Sequence, residues 1–147
     1  MKTAPSHQLT DAIFPVPEAD SSQEKLARKL RILVVEDDVE SLRLSQELLA
    51  LMGHWSAGVS SAEAAIARFS EGAFDVLMLD VNLPALSGVD LAEKLCRLER
   101  LPVIFATGGA PPRAGSPGSI WLQKPYSIAQ LEEATARAAG LLRCADA

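Results

Sequence analysis

Five short apolar runs recur along this chain, at 31–35, 55–59, 74–79, 102–106 and 120–122, and each is followed by polar residues. Runs of this length, rich in Val, Ile and Leu with few charges, read as strands buried on both faces. The stretches between them carry helical spacing in three of the four intervals. Strands separated by helices must lie parallel, because a parallel pair needs a long crossover, and the crossovers cover both sheet faces. The pattern predicts an α/β domain with a doubly wound, five-stranded parallel sheet.

The helical stretches carry start and stop signals. Over 39–52 the residues Leu44, Leu48, Leu51 and Met52 share a predicted apolar face, with Asp38 as N-cap and Gly53 as the stop. Ser60, Ser61, Ala62 and Glu63 read as a capping box opening an alanine-rich helix to about Glu71. A third helix is predicted over 89–98. Ser127 to Gln130 forms a second capping box, and Ile128, Leu131, Thr135, Ala138 and Leu142 share a face of the helix it opens. The interval before the fifth strand differs. Residues 108–119 read GGAPPRAGSPGS, seven of twelve being Gly or Pro. Helix there costs about 1 kcal/mol per Gly and about 3 kcal/mol per interior Pro, so a loop is expected.

Residues 1–30 hold three early prolines and four charges of each sign, the signature of a flexible tail, with a short helix possible over 22–30. The predicted organisation is a tail over 1–30, one domain over 31–143 and a C-terminal tail over 144–147. At 147 residues, 48% of them hydrophobic, the chain is sized for one core. A net charge of −5 disfavours partners such as nucleic acid or anionic membrane. No run of eighteen apolar residues or secretory apolar segment is visible, so a cytoplasmic protein is expected. Cys96 and Cys144 show no pairing or zinc pattern. His7 and His54 read as surface residues.

In parallel sheets of this kind ligands bind beyond the carboxyl ends of the strands. The residues there are Glu36 and Asp37, Asp80, Thr107 and Lys124. Three converging carboxylates repel, and one lysine does not neutralise them, so a divalent cation is the natural complement. An open oxygen cluster suits Mg²⁺, which keeps waters and favours phosphate oxygens. Asp80 can then act as a nucleophile toward phosphorus, with Lys124 and the Thr107 hydroxyl on the phosphoryl oxygens.

Taken together, Val34-Val35-Glu36-Asp37-Asp38, Leu79-Asp80-Val81-Asn82-Leu83-Pro84 with Gly88, Phe105-Ala106-Thr107-Gly108 and Lys124-Pro125-Tyr126 resemble the receiver domains of two-component signalling, over about residues 30–143. The resemblance implies a flavodoxin-like sheet of order 2-1-3-4-5. It implies Asp80 as phospho-acceptor from a histidine kinase or phosphotransfer protein. It places Glu36, Asp37, Asp80 and the Asn82 carbonyl around Mg²⁺, with Thr107 and Lys124 on the phosphoryl group. It further implies a non-enzymatic, single-domain regulator whose phosphorylation switches contact with a downstream protein. The loop at 108–119 departs from the usual pattern, which has a fourth helix there. With Phe105 to Gly108 it resembles a subgroup lacking an ordered fourth helix, associated with HWE-type or related kinases. Trp121 stands where related receivers carry an aromatic that changes rotamer.

Each residue also has a plainer reading. The acids after the first strand could simply cap a helix, and Asp80 could form an Asx turn before Leu83-Pro84. Lys124 could be a solvated loop residue, and Thr107 and Trp121 could only pack. At the level of the whole chain, a phosphate sink or relay intermediate, and a receiver-like binding module that takes no phosphate, are the alternatives. A phosphatase is less suited, because the position two after Asp80 is Asn82 and not a second acid.

Overall fold

The structure is a computed structural model describing residues 28–112 and 117–146. Five strands form one parallel sheet: β1 (Arg31–Val35), β2 (Trp55–Val59), β3 (Val76–Asp80), β4 (Val103–Thr107) and β5 (Ser119–Gln123), in the order β2-β1-β3-β4-β5. Among the described residues four helices accompany them: α1 (Val39–Leu51), α2 (Ala62–Arg68), α3 (Gly88–Leu98) and α4 (Ile128–Asp146). Strands β3 and β4 are buried along their whole length, whereas the edge strands β2 and β5 alternate between buried and more exposed positions.

Side chains alternate across each strand and so divide the core into two layers. Leu33, Val35, Leu77, Leu79 and Phe105 face α2 and α3, meeting Ala62, Ala65, Leu91 and Leu95. Ile32, Val34, Val76, Met78, Ile104 and Ile120 face α1 and α4, meeting Leu49, Leu131, Ala134 and Ala138. With β1 and β3 adjacent at the centre, Val35 pairs with Leu79, and Asp80 pairs with Ala106 of β4. The sheet register therefore brings the polar residues that follow β1, β3 and β4 to one edge.

The helices begin where local chemistry starts them, with some shifts from expectation. Asp38 caps α1, its carboxylate accepting from the Ser41 N–H, and Gly53 with φ +91° follows the C-cap. The buried face of α1 differs from the predicted one. Leu44 and Leu51 are 55% and 78% exposed, and Ser45 and Leu49 are buried instead, with Leu42, Leu48 and Met52 beside them. Ser45 tolerates burial because its hydroxyl bonds the Ser41 carbonyl at 2.9 Å and the Tyr126 hydroxyl at 2.7 Å.

The cap of α2 is Ser61 and not Ser60, its hydroxyl accepting from the Ala64 N–H at 3.0 Å. That helix stops at Arg68 and not near Glu71, since Phe69 turns extended and lays its ring on Phe74 at 6.1 Å. Helix α4 opens on the expected reciprocal box: Gln130 accepts from the Ser127 N–H at 2.8 Å, and Ser127 accepts from the Gln130 N–H at 3.1 Å. It runs through Asp146, so residues 144–146 are helical and not a tail, while Ile128 points largely outward.

Of the expected tail, 1–27 lies outside the described residues, and 28–30 carry no regular structure. Leu30 is buried, and its N–H donates to Nδ1 of His54 at 3.1 Å. His54 is therefore an interior residue and not a surface one: a neutral imidazole accepts this backbone donor, and burial lowers its pKa. Between β4 and β5 no helix occurs among the described residues, with 113–116 outside them. No helix among the described residues is long and apolar enough to cross a membrane.

Candidate functional site

Glu36, directly after β1, is 5% exposed. Its backbone N–H still pairs with Val59 O at 3.1 Å, which extends the sheet by one residue and turns the side chain toward the strand ends. The carboxylate accepts from the Asp38 N–H at 3.2 Å and from Lys124 Nζ at 2.7 Å. Asp37 stands exposed beside it. Asp38 turns away: its Oδ2 accepts from the Ser41 N–H and hydroxyl, which lowers its pKa and commits it to the helix cap.

Asp80 closes β3 and is 6% exposed. One carboxylate oxygen accepts from the Asn82 N–H at 3.1 Å, and the other lies 3.6 Å from Lys124 Nζ. One ligand atom from each of Glu36, Asp37 and Asp80 lies within 4.8 Å of the other two. Lys124 thus bridges two buried carboxylates and leaves a third nearby. Burial raises the pKa of Glu36, and the neighbouring Asp80 adds to this against the opposing Lys124 bond. Lys124 loses solvation, which lowers its pKa, but its bonds to Glu36 and its attraction to Asp80 outweigh that and leave it raised.

Thr107 is buried at the end of β4, one residue beyond the partner of Asp80, and its Oγ1 accepts from the Gly109 N–H at 3.1 Å. Its carbonyl accepts from the Lys124 N–H at 2.7 Å, which ties the lysine to the β4 edge. Asn82 is exposed in the loop after β3. Trp121 sits two register rows below Thr107, paired with Phe105 and stacked on its ring at 4.7 Å. The structure therefore gathers Glu36, Asp37, Asp80 and Lys124 into one cluster with Thr107 and Asn82 along its rim. Trp121 lies beneath it.

Two features of the site were not assigned by sequence reading. Gly88 stands at the start of α3, where a β-carbon would run into the Asp80 carbonyl oxygen and lie 2.9 Å from the Asp80 carbonyl carbon. Only glycine lets α3 pack so closely under the acid. The Gly88 N–H also donates to Val81 O at 3.0 Å. The other is the Tyr126–Ser45 hydroxyl bond, which fastens the segment after Lys124 to α1. Gly88 was legible only as a companion of the Leu79–Pro84 run, and Tyr126 only as part of a Lys-Pro-Tyr run.

A cluster of hard oxygen donors, two buried and one exposed, with a lysine already half-compensating it, can hold a small divalent cation and a phosphate-like group together. Comparison with known proteins agrees with that chemistry. A family model described as the response regulator receiver domain matches residues 32–116. The chain is 35% identical over 88 residues to the virulence sensor protein BvgS of Bordetella bronchiseptica, covering 60% of this chain and 7% of that protein. It is 34% identical over 116 residues to nodulation protein W of Bradyrhizobium diazoefficiens, covering 75% of this chain and 51% of that one. Among solved structures, a sensor protein from Polaromonas sp. JS666 superposes with a TM-score of 0.68 at 30% identity, over 76% of this chain and 97% of that chain. The matched stretch spans about half the length of nodulation protein W and under a tenth of that of BvgS.

Proposed function

This chain belongs to the response regulator receiver domain family, and on that premise we propose that it accepts a phosphoryl group on Asp80 from a phosphohistidine. The donor is a histidine kinase, of the HWE type or a related one, or a phosphotransfer protein. The observation that carries the reading is Lys124 Nζ, 2.7 Å from Glu36 and 3.6 Å from Asp80, inside a three-carboxylate cluster. A carboxylate oxygen of Asp80 attacks phosphorus, the P–N bond breaks, and the imidazole leaves with the bonding pair and takes up a proton.

Glu36, Asp37, Asp80 and the Asn82 carbonyl are the groups that would hold Mg²⁺. Bound there, the ion supplies positive charge against the phosphoryl oxygens and relieves the repulsion among the acids. Lys124 exchanges its bond to Glu36 for one to a phosphoryl oxygen. The Thr107 hydroxyl, now an acceptor from Gly109, donates its hydrogen to another. Added phosphate charge at a site bonded to β4, β5 and α1 is the means of switching, with Trp121 as the aromatic that responds. The protein acts in the cytoplasm, turns over no foreign substrate, and passes its state to a downstream protein.

A second reading has one observation in its favour. No helix occurs among the described residues between β4 and β5, which suits a phosphate sink or relay intermediate that needs transfer more than a rigid output face. Phosphoryl transfer from an autophosphorylated kinase to wild type and to Asp80→Asn tests the main reading. Label retained on wild type alone for many minutes supports a switch, whereas rapid loss with return to the kinase histidine supports the relay. Equal labelling of both proteins sinks the assignment of Asp80.

A further inference from the structure

On the α3 side of the sheet a groove of about 1020 Å³ runs between Ala92 and Cys96 of α3, Val103 and Phe105 of β4, and Trp121 of β5. Its walls are mostly apolar and aromatic. Arg97, Arg100 and Glu93 line it as well, which leaves its rim with one net positive charge; all three are exposed, and neither arginine has an ion-pair partner among the described residues. The indole N–H of Trp121 is enclosed yet has no acceptor among the described residues. A buried donor without an acceptor is unfavourable, so an occupant bringing a carbonyl oxygen to it recovers a hydrogen bond. An aromatic groove with a free indole donor and a basic rim suits an extended, proline-containing, acidic peptide.

Such a segment is present in the same chain. Residues 11–20 read DAIFPVPEAD: Ile13, Phe14 and Val16 are interleaved with Pro15 and Pro17 and flanked by Asp11, Glu18 and Asp20. From 11 to 24 there are four acids and no lysine or arginine, complementary to Arg97 and Arg100. We propose that residues 11–20 occupy the Phe105–Trp121 groove as an intramolecular ligand, with a backbone carbonyl accepting from the Trp121 indole N–H.

The tether permits it. Strands lie about 4.8 Å apart, so β5 is about 14 Å across the sheet from β1. The link from 20 to 28 extends to about 27 Å. A short tether holds a segment at an effective concentration on the order of 1 mM. A segment that binds in trans with a Kd of about 0.1 mM is therefore about 90% docked in cis, which slows exchange of a covered proton about tenfold. Docking there places the segment against the ring that stacks beneath Thr107, and so lets it sense the phospho-acceptor edge.

The test is hydrogen exchange of the Trp121 indole proton, assigned by Trp121→Phe, in the full chain with and without Ile13→Asp/Phe14→Asp. Docking predicts exchange about tenfold faster in the variant, with sheet amides unchanged. It also predicts that a synthetic peptide of residues 8–21 restores the slow rate. In a second variant Arg100→Glu speeds exchange, and added Glu18→Lys/Asp20→Lys slows it again. Equal exchange in wild type and the double variant overturns the proposal. So does protection that rises with protein concentration, which assigns the groove to a second copy of the chain.

Discussion

Replacing the phospho-acceptor by its amide, Asp80→Asn, is expected to make the metal-free protein more stable, not less. Asp80 is 6% exposed, 3.6 Å from Lys124 Nζ and within 4.8 Å of a Glu36 oxygen. At an effective dielectric of about 20, the lost attraction to Lys124 amounts to about 4.6 kcal/mol, and the relieved repulsion from Glu36 to at least about 3.5 kcal/mol. These nearly cancel. What decides is burial, since keeping a carboxylate charge away from water costs several kcal/mol. The Asn side chain keeps an oxygen for the Asn82 N–H, and Lys124 keeps its 2.7 Å bond to Glu36. The net expectation is a gain of about 1–3 kcal/mol in EDTA at pH 7. Urea unfolding followed by circular dichroism measures it. With Mg²⁺ at about 100 times its Kd, wild type should gain about 2.7 kcal/mol and the variant much less. A variant less stable than wild type in EDTA, or stabilised equally by Mg²⁺, refutes the reasoning.

Other expectations follow from single contacts. Gly88→Ala forces a β-carbon against the Asp80 carbonyl; it should cost about 1–3 kcal/mol and slow phosphoryl uptake as the β3 end shifts, and unchanged uptake and stability would count against the close approach. His54 is buried with its pKa held below the ordinary 6.5. Below that pH the unfolded chain takes up a proton that the folded chain refuses, so stability falls as pH drops, by at most about 1.4 kcal/mol per pH unit. His54→Asn, whose side-chain oxygen can accept from the Leu30 N–H, should lose that part of the slope; identical slopes between about pH 6.5 and 5.5 would contradict the burial argument.

Much of the fold was legible because its signals are local. A run such as Ile32 to Val35 is apolar on both faces, which betrays a central parallel strand, and the Ser127–Gln130 box is complete within four residues. The acids and Lys124 were legible because each ends or follows a strand. What escaped depends on partners far away in sequence. Ser45 looks like a surface residue until Tyr126, 81 positions on, supplies its hydroxyl. His54 looks exposed until Leu30 donates to it, and Asp75 is held by Arg31 through two side-chain bonds. The phase of α1 went wrong for the same reason, since hydrophobicity alone prefers Leu44 and Leu51 to a buried serine.

The most direct test is intact mass of wild type and Asp80→Asn after incubation with acetyl phosphate and Mg²⁺, with an EDTA control. The account predicts one phosphoryl group on wild type, none on the variant, and none on either protein in EDTA. Phosphoryl gained by the variant, or by neither protein even with a kinase donor, would contradict it.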